Sequence, residues 1–178
     1  MQLRLIGDTE LIELARAGDR RAVEQLIERY QDSIYSIAMT FTRDPHRAED
    51  LAQEAWIRIL KGLAGFRGEA RFTTWMYRVV MNTFLSSSRP AEVPLSREAP
   101  AADESEVSRL ETSLAVQQAV AELPEEYRAV VALRFIADLP YQEIAAALNV
   151  PLGTVQSRLN RALTRLSASL GPVLRGDP

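Results

Sequence analysis

Residues 139–166 read LPYQEIAAALNVPLGTVQSRLNRALTRL, and their spacing decides the fold of the C-terminal third. Ile144, Ala145 and Leu148 mark the inner side of a short helix, which Asn149 can end in a left-handed conformation before Pro151 and Gly153 force a turn. A second helix follows at once. Thr154 suits its N-cap, and Val155, Leu159, Ala162, Leu163 and Leu166 are expected to face inward. Gln156, Ser157, Asn160, Arg161 and Arg165 are then left facing outward. This is the layout of a helix-turn-helix, with small Ala145 permitting a close crossing, and the outward side chains are types that hydrogen-bond base edges and phosphates. An ordinary helical hairpin shares the periodicity. Arginines 158, 161 and 165 with no acid between Gly153 and Gly171 favour a polyanion partner, because solvated faces usually mix signs.

Upstream, apolar residues recur at three- and four-residue spacing and no alternating β pattern appears, so the chain is expected to be all-α. Asp8 and Gly18 bracket a short helix, and Asp19 opens a long one with Ala22, Leu26, Tyr30, Ile34, Ile37 and Phe41 on its stripe. Asp44 before Pro45 pairs an N-cap with a proline at the first helical position, and Gly62 and Gly65 are expected to end that helix. A fourth helix should run from about Phe72 to Leu85. Residues 86–108 hold three prolines, six serines and many acids, too little apolar surface to offset the entropy of ordering. The expected organisation is two small helical domains, 1–88 and 110–178, joined by a flexible acidic linker at 89–109, the second domain holding the helix-turn-helix.

The net charge of −3 conceals an uneven distribution. Residues 61–89 carry five basic side chains to one acidic, residues 90–126 two to nine, and residues 127–178 six to three. Two basic patches around an acidic stretch fit two contacts with a polyanion, although chance fluctuation gives such counts as well. With no cysteine and His46 as the sole imidazole, disulfides, thiolate metal sites and thiol nucleophiles are excluded, and neither a metal nor a cofactor is expected. A nucleic-acid enzyme would need clustered carboxylates or a nucleophile with its base, and the acids here are scattered. No run of about 20 apolar residues suggests a membrane span and the N-terminus lacks a signal layout, so a cytoplasmic home is expected.

The second informative stretch is Phe66–Asn82, where aromatics and arginines interleave as in single-strand binders. Trp75 and Phe72, at helical spacing, fit a core better than a stacking platform. Phe66, on a glycine-flanked loop, is the better candidate to touch a base, and Asn82 could supply a donor and an acceptor to a base edge. The preceding helix bears Glu49, Asp50, Gln53, Glu54 and Arg58, an outer face that suits a protein partner or plain solvent.

With both motifs in view the chain resembles the extracytoplasmic-function group of bacterial sigma factors. Residues 48–82, AEDLAQEAWIRILKGLAGFRGEARFTTWMYRVVMN, are similar to that group's second conserved region, and residues 123–163, LPEEYRAVVALRFIADLPYQEIAAALNVPLGTVQSRLNRAL, to its fourth. The resemblance implies a non-enzymatic promoter-recognition factor. It implies that Asp50, Gln53, Glu54 and Ile57 grip the β′ coiled coil of core RNA polymerase, that the β subunit is also contacted, and that Phe66 and Asn82 capture a flipped base of the −10 element with Arg67, Arg71, Trp75 and Arg78 nearby. It further implies that Arg134, Gln156, Ser157, Asn160 and Arg161 meet the −35 element, that the linker enters the polymerase, and that an anti-sigma factor restrains the protein. Departures from the group's pattern are Gln156 in place of a basic residue, Pro140 in place of a capping serine, and a TFLSSSR stretch after Asn82 that is poor in basic residues. No long C-terminal extension, and so no regulation of that kind, is expected. A stand-alone helix-turn-helix regulator would explain residues 139–166 but not the aromatic-arginine stretch.

Overall fold

The computed structural model describes residues 7–87 and 104–175, with side chains over 7–87 and 113–171. Eight α-helices and no strands occur among them: α1 (Asp8–Arg16), α2 (Arg20–Thr42), α3 (Pro45–Leu63), α4 (Phe72–Ser87), α5 (Glu104–Glu122), α6 (Glu125–Phe135), α7 (Tyr141–Leu148) and α8 (Leu152–Arg175). The caps expected at Asp19 and Asp44 are present. Asp19 accepts from the backbone N–H of Arg21 at 2.8 Å, and Asp44 from that of Arg47 at 2.9 Å with Pro45 behind it. Each satisfies a donor that has no partner inside its own helix.

The first half is a bundle in which α2 packs on α1 and α3, and α3 on α4. Its interior is Leu11, Leu26, Ile34, Ile37, Ala55, Ile59, Met76, Val80, Met81 and Phe84, all with almost no exposed surface. Helix α3 passes through Gly62 to Leu63 rather than stopping at the glycine. In the second half α8 lies against α5, α6 and α7, with Leu133, Ile144, Val155, Leu159 and Ala162 between them.

Several expectations need correction here. Leu163 is 41% exposed: Val155, Leu159, Ala162 and Leu166 follow one seam at alternating four- and three-residue steps, and Leu163 lies a 100° turn beyond Ala162, off that seam. Thr154 lies inside the first turn of α8 rather than at its cap, since the Pro151 carbonyl accepts the N–H groups of Thr154 and Val155. The fully buried small residue of α7 is Ala147, with Ala145 only partly covered. Helix α5 begins at Glu104, so residues 104–109 are helical rather than linker; the rest of that stretch, 89–103, lies outside the described residues.

The two halves are in contact. Helix α4 packs on α7, and α2 on α5 and α6. At the second contact the Arg43 guanidinium donates to the carbonyl of Ala121, and Arg128 donates to the carbonyls of Ala121 and Leu123. Arg128 also lies over the ring of Phe41, 5.4 Å from its centroid. Burial, reinforced by nearby Arg43, pulls the guanidinium pKa of Arg128 below its usual value.

Candidate nucleic-acid interface

The loop between α3 and α4 turns through Gly68 at φ 74°, a conformation that suits a residue without Cβ. Phe66, the candidate to touch a base, is half-buried on this loop. Its ring meets Trp75 at 5.2 Å and Phe72 edge-on at 5.8 Å, and Phe72 reaches Tyr30 at 6.0 Å. Phe72 is buried, as the core reading required, while Trp75 is half-buried. Phe66, Arg67, Glu69, Trp75 and Arg78 line a cavity of about 320 Å³. That volume is at the small end of sites that hold small-molecule-sized groups, the size range of a nucleobase. Asn82 is exposed one turn beyond Arg78 on α4 and does not line this cavity.

A second depression, of about 400 Å³, runs between α1 and the loop, bordered by Arg16, Arg67, Arg71 and Phe72. Arg16 had no signal in the sequence, because α1 comes to this groove only through the bundle. The groove wall is braced by Asp8, which accepts from Tyr30 Oη at 2.5 Å and pairs with Arg29. Burial, with help from the Asp8 bond, pushes the Tyr30 phenol well above its ordinary range. Tyr77, hydrogen-bonded to Ser33 at 2.8 Å, is likewise raised by burial.

Gly62 determines where the indole can lie. A Cβ there would be 2.9 Å from Cζ2 of Trp75, closer than carbon atoms pack, and 3.4 Å from Cη2. Gly62→Ala should therefore displace the Trp75 ring. The gain in helix propensity, about 1 kcal/mol, offsets much of an overpacking cost of about 1–3 kcal/mol, so the melting temperature should move little. The indole emission, read with Trp56→Phe as background, should change, and an unaltered spectrum would show that the ring has room.

On α3, Asp50, Gln53 and Ile57 are exposed and Glu54 is half-exposed, forming one outer face with Glu54 paired to Arg58 at 2.5 Å. Ile57 is 51% exposed amid these polar neighbours.

In the second half the turn between α7 and α8 is as expected: Asn149 takes φ 54°, ψ 47°, and Pro140 provides no side-chain cap. Gln156, Ser157, Asn160, Arg161 and Arg165 are exposed along α8. Ser157 Oγ donates back to the Thr154 carbonyl at 3.1 Å, and Arg165 lies 5.3 Å over Tyr127. Arg158, one of the three arginines with no acid near them in sequence, pairs with Glu126 of α6 at 2.8 Å. Arg134 lies at the end of α6, bonded to Asp138 at 2.9 Å and 6.0 Å from the Tyr141 centroid. Among the described residues, Gln156, Asn160 and Arg161 have no side-chain hydrogen-bond partner in the protein.

Residues 26–91 match the family described as Sigma-70 region 2, and residues 113–166 that described as Sigma-70, region 4. The chain is 33% identical to the RNA polymerase sigma-H factor of Pseudomonas aeruginosa, over 94% of this chain and 96% of that one. It belongs to the extracytoplasmic-function group of RNA polymerase sigma factors. Two relatives named for that group are SigW of Bacillus subtilis, 31% identical over 89% of this chain and 94% of its own, and SigM of Mycobacterium tuberculosis, 35% identical over 93% and 85%. The fold of this sigma factor is shared with CnrH, solved in complex with the cytosolic domain of CnrY, at a TM-score of 0.73 and 24% identity over 92% of this chain and 97% of CnrH. It is shared also with RpoE of Bartonella quintana, solved with the anti-sigma factor NepR, at 0.65 and 18% over 83% and 96%. The region 2 match spans the aromatic-arginine loop and α4 of this sigma factor, and the region 4 match spans its helix-turn-helix.

Proposed function

We propose that this sigma factor binds core RNA polymerase and directs it to promoters by reading a −35 duplex with α8 and a melted −10 strand with the α3–α4 loop and α4. The observation that carries the reading is the occurrence, in order along one chain, of a cavity walled by Phe66, Trp75, Arg67 and Arg78 and a helix-turn-helix whose Gln156, Asn160 and Arg161 are unpaired and exposed. Phe66 and Trp75 offer faces on which an extruded base can stack, and Arg67, Arg71 and Arg78 follow its phosphates. Asn82 reads an edge further along the strand. Arg134, Ser157 and Arg165 flank the duplex contact and hold its backbone.

The outer face of α3, with Asp50, Gln53, Glu54 and Ile57, is the surface for the β′ coiled coil, and the second half meets the β subunit. The working units are the helices up to residue 88 and those from α5 onward, tethered by the acidic segment between them. Polymerase holds both units at once, which raises the effective concentration of each weak DNA contact. The protein acts as a specificity factor and not as an enzyme, and it works in the cytoplasm where polymerase is. No helix among the described residues is long and apolar enough to cross a membrane. An anti-sigma factor is the natural restraint, since RpoE of Bartonella quintana, which shares this fold, is solved with one.

The test is transcription by core polymerase with and without the protein. Promoter-selective transcripts that require the added chain are expected, and specific duplex binding by the chain alone would instead favour a stand-alone regulator. Within this assay, Arg161→Ala should weaken upstream-element binding by about 1–3 kcal/mol if it reads a base edge, seen as a lost footprint at that element. An intact footprint would remove Arg161 from the recognition set.

A further inference from the structure

The α3–α4 loop walls two adjoining depressions. Phe66 and Arg67 line both the cavity that holds Trp75 and Arg78 and the groove of about 400 Å³ that α1 closes. The α1 side of that groove carries Arg16, exposed in the last turn of its helix. Helix α1 is a fixed wall, because Leu11, Ile12 and Ala15 are buried in the bundle and Asp8 is tied to Tyr30 and Arg29 of α2. Charge in the groove is one-sided. Arg16, Arg67 and Arg71 face two carboxylates, and with Asp8 already paired only Glu13 is left against them. Arg71 and Arg78 are engaged by α7: Arg71 Nη1 donates to Glu143 Oε1 at 2.6 Å, Thr74 donates to Glu143 Oε2 at 2.8 Å, and Arg78 Nη2 donates to the Ala146 carbonyl at 2.7 Å. Among the described residues, Arg16 and Arg67 have no side-chain hydrogen bond or ion pair. Two guanidinium groups with all their donors free, one on the loop and one on a helix that only the bundle brings there, have the chemistry of a phosphate site.

We propose that the groove between α1 and the loop is a second nucleotide site: Arg16 and Arg67 hold the phosphate that follows the extruded base, and the next base of the strand lies in the groove against Phe66. The inference rests on the strand-binding role given to the loop above. It extends that role to a helix outside residues 26–91, the span matched as Sigma-70 region 2. A groove of about 400 Å³ can cover a nucleobase on more than one side. The Phe66 ring, already fixed by Phe72 and Trp75, is a stacking surface that needs no further ordering. Glu13 can only accept, so it suits an amine on a base edge and keeps the phosphate on the arginine side. A cation in the last turn of a helix also complements the helix dipole, a small stabilising effect that needs no ligand. The two roles differ in what they make depend on the length of the strand.

The experiment uses holoenzyme assembled from core polymerase and the full chain. Fluorescent forked DNAs are titrated, their single-stranded overhang lengthened one nucleotide at a time past the extruded base. Affinity should step up at the nucleotide that reaches the groove, and Arg16→Gln should abolish that step, a loss of about three- to tenfold on the longer forks with little change on the shortest. The slope of log affinity against log salt on the longer forks should fall by about 0.7, the share of one phosphate on a single strand. Arg16→Lys keeps the charge and should keep most of the step. Arg20→Gln, the same change in net charge at an exposed position at the start of α2, should leave the step intact, and Arg16→Gln should melt close to the unaltered protein. A step that survives Arg16→Gln, with Arg67→Ala still weakening the shortest fork, overturns the second site and leaves the strand-binding reading standing. Equal losses from Arg16→Gln on every fork, fully duplex DNA included, make Arg16 a general charge and overturn the site as well. Binding indifferent to both Arg16 and Arg67 on every overhang removes the strand-binding reading, and the second site with it.

Discussion

Replacing Ile57 with aspartate should raise the dissociation constant for core RNA polymerase by roughly 30- to 1,000-fold, the effect of losing an interface anchor of about 2–4 kcal/mol. Ile57 is 51% exposed on the face of α3 that carries Asp50, Gln53 and Glu54, and an isoleucine left in water at that level gains nothing for the fold. An apolar residue ringed by polar ones is the pattern of an interface centre, where the surrounding groups exclude water and the central side chain supplies the binding energy. Aspartate there would bring a charge into a desolvated contact and set a further negative charge beside Asp50 and Glu54. Because the site is on the surface, thermal stability should change by less than about 0.5 kcal/mol, so lost association cannot be blamed on unfolding. The measurement is a titration of dye-labelled protein with core enzyme, with Glu24→Gln on the exposed side of α2 as the control. An unchanged dissociation constant would leave the outer face of α3 as ordinary solvated surface.

What could be read from the sequence was local. Asp19, Asp44 with Pro45, and Asn149 declare their roles because a cap or a left-handed residue is decided within a few positions of itself. The periodicity of α2 likewise identified Ala22, Leu26, Ile34 and Ile37 as core, while Tyr30 and Phe41 of the same stripe are only partly buried. The errors arose where distant neighbours decide. Leu163 satisfies a helical pattern, but it lies 41% exposed, off the packed seam of α8. Arg158 looked unpaired because Glu126 is 32 residues away along the chain. Phe66 was legible as an aromatic at the nucleic-acid loop, whereas its lodging between Phe72 and Trp75 depends on how α4 meets the loop. Glu143 and Thr74 gave no hint of pairing, since their meeting spans 69 residues and joins two halves that composition separates. Exposed polar side chains carry no periodic signature, and contacts between them are invisible until the backbone places them.

The other large effect concerns how tightly the halves are coupled. Phe84→Ala should cost about 3–5 kcal/mol, the usual loss for a buried aromatic whose site cannot collapse. Phe84 is fully buried beneath α2, with its ring 5.9 Å from that of Phe41, and Phe41 is in turn the ring beneath Arg128 of the second half. The resulting cavity would loosen α4 against the bundle, and with it the row of arginines that α4 displays. Although the buried cores of the two halves meet in one cluster, if each half unfolds on its own, calorimetry should resolve two transitions, and Phe84→Ala should lower only that of the first half. The displacement should be roughly 10 °C or more, since 1 kcal/mol shifts a domain of this size by about 4–8 °C. Leu133→Ala, at an equally buried position in the second half, should move the other transition by a comparable amount. Two variants that displace one common transition would mean that the halves unfold as a single cooperative unit, and the opening required to release Arg71 and Arg78 would then cost as much as unfolding a domain. Independent transitions are what strand binding at α4 demands, because the free energy that holds α7 on α4 must be small enough for polymerase and DNA to overcome.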